Sequence, residues 1–290
     1  MRTNMRTKIQ KLRPWQHLFH SRRPKGPLFF FCYHKCGTVL LSKTLRRICD
    51  RFGWRFVQTY GRCESLPSKY DVVLFSHSET TPEIMRKMYK GIHVIRDPRD
   101  VIVSGYLYHS RCNEPWCINT DLEPSGEVDF PKVPFIKSTA TREEIESYLK
   151  FLSNKSYQEN LKARDFDEGF IFEMEGYSGW TIKSMAEWDY TNADVLELKF
   201  EDMLANYDQT FSDIFDWLDL TQKQQTIALE LASLEDYSKM SNEQKKANPH
   251  ISSTRISKWA GYFKDVHKEK FQELFGTVLV KLGYEKDNNW

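Results

Sequence analysis

The chain has 290 residues, 40% of them hydrophobic, enough for one large α/β domain or two small ones around a real core. No apolar run reaches the roughly 18 residues of a membrane-spanning helix, and the six cysteines (32, 36, 49, 63, 112 and 117) lack the paired spacing of a zinc module, so both classes are set aside. The formal net charge of +2 hides an asymmetry: residues 1 to 27 carry eight Lys or Arg and no acid, and the remainder is acidic on balance.

Residues 1–26 read as a basic, flexible arm, and residues 27–290 as the domain. The arm lacks the apolar core of a signal peptide, so the expected location is cytoplasmic. Trp15, Leu18 and Phe19 interleave with its charge, which points to peripheral contact of residues 1–25 with anionic lipid or polysaccharide. Nothing in the composition calls for nucleic acid.

The first element of the domain is Leu28 to Leu41, LFFFCYHKCGTVLL. Phe29, Phe30, Phe31, Cys32 and Tyr33 show no alternation, as in a parallel strand buried on both faces. His34 to Thr38 form a polar turn, and apolar residues then return at helical spacing at Val39, Leu40, Leu45 and Ile48. A strand, a turn with Gly37 and a helix aim backbone N–H groups and the positive end of a helix dipole at an anion, and Lys35 adds a full charge. The lysine precedes the glycine, so this is not a Walker A loop.

Farther along, Val72 to Phe75 is a second buried strand ending at Ser76 and His77, where a doubly wound sheet collects its ligands. Pro82 to Tyr89 reads as a short helix capped by Thr80 or Thr81. GIHVIRDPRDVIVSGYLYHS, from Gly91, is a strand, then Arg96-Asp97-Pro98-Arg99-Asp100, then a helix holding Ser104. A guanidinium there can grip a phosphate through two N–H bonds while the serine hydroxyl supplies a third. The competing reading pairs Arg96 with Asp100 as a helix-start ion pair.

These three pieces, in this order, resemble the sulfotransferases that use 3′-phosphoadenosine 5′-phosphosulfate (PAPS). YHKCGTVL resembles their donor loop, FSHSE the segment holding their catalytic histidine, and Arg96 with Ser104 their 3′-phosphate motif. The resemblance covers roughly residues 26 to 284. It implies a three-layer α/β fold of P-loop nucleotide-kinase type, with a parallel sheet of about five strands flanked by helices. It also implies transfer of a sulfuryl group from PAPS to a hydroxyl or amine of a saccharide, lipid-linked or small-molecule acceptor, with no metal. By the same resemblance Lys35 stabilises the leaving group, His77 is the general base, and Cys36, Gly37, Thr38, Val39 and Leu40 hold the 5′-phosphate.

The later chain adds weaker matches. Thr141 to Asp165 reads as a long amphipathic helix with a capping box at Thr141 and Glu144, after a segment from Cys112 rich in turn residues. Residues 178 to 190 read as a helix and 194 to 204 as a strand entering a turn. LKFEDML resembles the family's Leu-x-Tyr-Glu-Asp-Leu segment, with Phe200 at the tyrosine that meets adenine; Glu201 and Asp202 read as structural. Ser233 resembles a nucleotide contact. STRISKWAGYF resembles the closing 3′-phosphate signature, which implicates Arg255 and Lys258. The final helix puts Phe271, Leu274, Phe275, Val278 and Leu282 on one face, to pack on the sheet.

Two departures stand out. Leu40 replaces a tryptophan that stacks on adenine, and Cys36 replaces the loop serine, placing a thiol at a helix N-terminus beside Lys35. Such surroundings favour thiolate, so alkylation of Cys36 is expected to block donor binding. Cys32 and Cys49 read as core residues, and Cys112 and Cys117 as free thiols with a small disulfide loop as the alternative. The other functions weighed are a nucleotide kinase of related fold and a non-catalytic nucleotide-binding protein.

Overall fold

The computed structural model describes residues 22–119, 142–241, 243 and 257–290. Five strands form one sheet, β1 (Leu28–Phe31), β2 (Phe56–Thr59), β3 (Val72–Phe75), β4 (Lys90–Ile95) and β5 (Val195–Lys199). Their order is β2-β3-β1-β4-β5 and every pairing is parallel, with Phe30 opposite both Leu74 and Ile92. The chain leaves β1 to one side for β2 and β3 and to the other for β4. That reversal opens a crevice at the carboxyl end of β1, between β3 and β4.

The unbroken apolar run of β1 follows from cover on both faces. Leu28, Phe30 and Cys32 face α1 (Thr38–Phe52), α9 (Phe200–Ala205), α10 (Tyr207–Trp217) and α11 (Gln222–Ser233). Phe29 and Phe31 face the opposite way, where the Phe75 ring lies 5.1 Å and 4.9 Å from theirs. Each such side chain contributes roughly 1.5–3 kcal/mol by its burial. The second layer holds α3 (Pro98–His109), α7 (Phe166–Glu175) and α8 (Tyr177–Glu187), which gather with Tyr33 and Ile95 into one core.

Three expected elements are shorter than their patterns. The helix from Pro82 is one turn, α2 (Pro82–Met85), capped by the Thr81 side chain on the Ile84 N–H; the chain must turn at once to enter β4. After α4 (Pro115–Ile118), the long helix proves to be α5 (Arg142–Leu152) and α6 (Tyr157–Lys162), separated where Ser153 and Asn154 adopt left-handed φ of 51° and 59°. A capping box on Ser156 and Glu159 restarts it, while Thr141 lies outside the described residues. The last helix breaks at Gly276 (φ 55°) into α12 (Asp265–Phe275) and α13 (Val278–Lys281), and α12 packs chiefly on α7 rather than on the sheet. No helix among the described residues is long and apolar enough to cross a membrane.

Most of the basic arm lies outside the described residues. Its described end is tied to the domain, with Arg23 paired to Asp71 at 2.8 Å and Lys25 to Asp219 at 3.1 Å.

Candidate active site

The loop after β1 curls because two of its residues are left-handed, Lys35 at φ 63° and Gly37 at φ 96°. For Lys35 this is a strained state of order 1–2 kcal/mol. Gly37 is required twice over, since a Cβ there would stand 2.8 Å from the Phe200 ring. The Cys36 N–H and the Thr38 hydroxyl both donate to the Tyr33 carbonyl, each at 3.0 Å, closing the turn on the strand end. No side chain caps α1, so the N–H groups of Thr38, Val39 and Leu40 emerge without intrahelical acceptors.

Cations converge on this turn. Arg96, at the end of β4, donates from Nη1 to the Lys35 carbonyl at 2.8 Å. Its Nη2 lies 3.6 Å from Asp100, and its buried Nε has no hydrogen-bond partner. The Lys35 ammonium lies 3.8 Å over the Tyr108 ring, and burial, followed by the Arg96 charge, pushes its pKa down to about 7. Lys258 is pushed down to about 8 by the same two causes. Asp100 brings it there by accepting the N–H groups of Ser257 and Trp259 at 3.1 Å and 3.0 Å, which docks a 3-10 turn (Lys258–Gly261) on the start of α3. Ser104 lies buried farther along that helix.

On the other side of the turn stand three histidines. His77 Nδ1 accepts the Gly61 N–H at 2.7 Å, and its Nε2 meets the Tyr177 hydroxyl at 3.2 Å. His34 Nε2 lies 3.0 Å from His109 Nε2, the two rings stacked at 5.0 Å. His109 Nδ1 lies 2.9 Å and 3.1 Å from the two carboxylate oxygens of Glu173.

A family model described as the sulfotransferase domain matches residues 26–283. The chain belongs to the sulfotransferase domain family. Among solved structures it is similar to a mouse sulfotransferase, SULT7A1, complexed with PAP, at 16% identity and a TM-score of 0.47, over 92% of this chain and 89% of that one. A second is a retinol dehydratase in complex with androsterone and inactive cofactor PAP, at 14% identity and a TM-score of 0.45, over 90% of this chain and 82% of that one. No curated protein sequence matches it.

In this sulfotransferase the structure brings together Lys35, Gly37, Thr38, Arg96 and Lys258, while other expected residues do something else. The Cys36 thiol is completely buried, and burial pushes its pKa well above the ordinary value; it is a core thiol, not a thiolate open to alkylation, and its N–H serves the turn. The Thr38 hydroxyl spends its proton on Tyr33, leaving its backbone N–H as the group available to an anion. Leu40 points into the core and Val39 is half-buried, so both can serve only through the backbone. Phe200 is buried against Gly37 with Arg96 at 5.2 Å over its ring, a packing role rather than an open platform for a base. Glu201 orients the turn by accepting the Asp97 N–H at 3.0 Å. Ser233 closes α11 by donating to Glu230 at 2.8 Å, and Arg255 lies outside the described residues.

His77, expected as the general base, stands just past the end of β3, its ring oriented by the Gly61 N–H on Nδ1 and the Tyr177 hydroxyl at Nε2. The sequence reading assigned nothing to His34, His109 or Glu173, which the structure brings into contact with one another.

Proposed function

We propose that this protein moves the sulfuryl group of PAPS to a hydroxyl or amine of an acceptor. One observation carries the reading beyond family membership: Lys35, Arg96 and Lys258 are drawn together, two of them against their own charge, at an uncapped helix start. Cations held in mutual repulsion are stabilised by an anion placed between them. The residues fit a bisphosphorylated nucleotide, because Arg96 is held beside the turn by the Lys35 carbonyl, with its Nε lacking a hydrogen bond and 4.0 Å from Glu201.

PAPS supplies the sulfuryl group and leaves as adenosine 3′,5′-bisphosphate (PAP). In this reading the N–H groups of Gly37 to Leu40 hold the 5′-phosphate, and Arg96, Ser104 and Lys258 hold the 3′-phosphate. Lys35 meets the charge that develops on the bridging oxygen as its bond to sulfur breaks. Tyr108 and Tyr177 are buried behind the acceptor side, with the half-buried Trp116 stacked on Tyr177 at 4.8 Å. His77, beside Tyr177, is the candidate general base of this reading.

The test is calorimetric binding of PAP, AMP and ATP to the wild type and to Arg96→Ala. Binding is expected to need the 3′-phosphate and to weaken roughly 10- to 100-fold in the variant, the worth of a charge-assisted contact. Indifference to the 3′-phosphate would put the kinase or scaffold readings in front. Residues 1–25 are proposed to meet anionic surfaces. Liposome binding that is equal with and without them would refute that.

A further inference from the structure

The segment from Tyr284 to Trp290 carries none of the donor motifs, yet it folds back onto the side chains that hold Arg96 and the Lys258 turn in place. It is fastened first at β5. Lys199, the last residue of that strand, donates to the Gly283 carbonyl at 2.5 Å, and its ammonium lies 4.4 Å over the Tyr284 ring. The Tyr284 hydroxyl thereby reaches Oε2 of Glu201 at 3.1 Å, while Oε1 of that carboxylate accepts the Asp97 N–H at 3.0 Å and stands 4.0 Å from Arg96 Nε. Burial and the Glu201 charge push the Tyr284 pKa far above its ordinary value, so the hydroxyl stays a donor. Glu201 is gripped at one oxygen and turns the other to Arg96.

The far end of the segment is fastened at Arg99, which is only 3% exposed on α3. Its Nε and Nη2 donate to Asp97 at 3.0 Å and 2.8 Å, and its Nη1 donates to Glu285 at 2.6 Å. The guanidinium carbon also lies 3.8 Å from the centre of the Trp259 ring and 4.8 Å from that of Trp290. Trp259 belongs to the 3-10 turn that carries Lys258, so one cation ties that turn to the segment. A guanidinium between two indoles and two carboxylates is firmly fixed. Trp290 is itself lodged edge-on to Trp259 at 5.6 Å and against Phe271 at 5.3 Å, and the Asn288 carbonyl accepts from the Gln272 side chain at 2.9 Å.

We infer that Tyr284 and Trp290 are positioning residues for the 3′-phosphate of the donor, Tyr284 setting Arg96 through Glu201 and Trp290 setting Lys258 through Arg99 and Trp259. The inference rests on the donor reading above. Arg96 repels Lys258, and two such cations stay close only where their neighbours hold them. Held ready, they bind a phosphate without first having to be ordered. The 5′-phosphate site at the start of α1 is built by the loop after β1, a different stretch of chain. Loosening the segment should therefore be felt by the 3′-phosphate and not by the 5′-phosphate.

The experiment is calorimetric titration of the full chain with PAP and with AMP, which lacks the 3′-phosphate, for wild type, Trp290→Ala, Trp290→Phe and Tyr284→Phe. Trp290→Ala is expected to weaken PAP roughly tenfold while AMP stays within about twofold, and Trp290→Phe to restore most of the loss. Tyr284→Phe, which removes a single hydroxyl and leaves the packing intact, is expected to weaken PAP by about three- to fivefold with AMP unchanged. It decides the matter alone if Trp290→Ala does not fold. Equal losses for PAP and AMP would make the segment a general support of the fold and overturn the proposal. So would a PAP affinity within about twofold of wild type in Tyr284→Phe and in any folded Trp290→Ala protein. A wild type that does not prefer PAP to AMP sinks the donor reading itself, and this proposal with it.

Discussion

Two carboxylate–histidine pairs flank the loop, and they differ in where they end. Glu173 and His109 lead to His34, which is half-buried at the crevice. Glu197 and His93 lead to Tyr33, one residue earlier, through a 3.0 Å contact between His93 Nε2 and the phenol. There His93 is wholly buried and stacked on Trp188 at 4.1 Å, and burial lowers its pKa although Glu197 pulls the other way. Burial drives the Tyr33 hydroxyl far above its ordinary pKa, so this second line can neither take nor give a proton near neutrality. It braces the end of β1 against β4 and β5. The same pair of residue types ends in the core or at the crevice according to where its last member stands.

The sharpest way to break the comparison is to cut each line at its end. His34→Gln, a change directly beside Lys35 at the crevice, is expected to lower turnover roughly 100-fold with the melting temperature little changed. Tyr33→Phe is expected to leave turnover near wild type. Next in size is Gly105→Ala, which drives a methyl group into Glu173 and Ser178 but leaves the second line alone. A loss of turnover of roughly tenfold or more is expected, together with about 1–3 kcal/mol of stability read by denaturant melts.

Donor binding supplies a third test. Lys35 and Lys258, pushed down to about 7 and about 8, must be protonated to attract an anion. PAP affinity measured from pH 6 to 9 should therefore fall as pH rises, and Lys258→Met should remove the part of the fall nearest pH 8. A flat profile would refute the charge arrangement.

The smallest effects belong to the scaffold line. Because the folded state lowers the His93 pKa, the folded protein binds fewer protons than the unfolded chain between the two values. Stability is thus full above the ordinary histidine value near 6.5 and is lost as pH falls below it. Melting temperatures of His93→Gln should show less of this acid slope than wild type. Tyr33→Phe removes one hydrogen bond and should cost about 1 kcal/mol.

Much of the fold around the loop was legible because its signals are local. Strand β1, the turn at Gly37, and the strand and helix on either side of Arg96 each depend on a few consecutive residues whose pattern survives without the rest of the chain. Helix lengths were less legible, since the apolar spacing of residues 142–165 runs on through Ser153 and Asn154, where the chain leaves the helix. Side-chain roles were least so. Cys36 looked exposed at a helix start, yet its neighbours in the core come from α3, α7 and α8.

The sequence by itself determined that a buried parallel strand runs into an anion-seeking turn, and that an arginine and a serine follow at the spacing of a phosphate grip. Tertiary structure alone decided which partners each histidine meets. The Gly61 N–H, from the loop after β2, donates to Nδ1 of His77, while Glu173, from α7, holds Nδ1 of His109, whose ring stacks on His34. A tautomer is set by partners far away in the chain, and neither propensity nor spacing records which partners those will be.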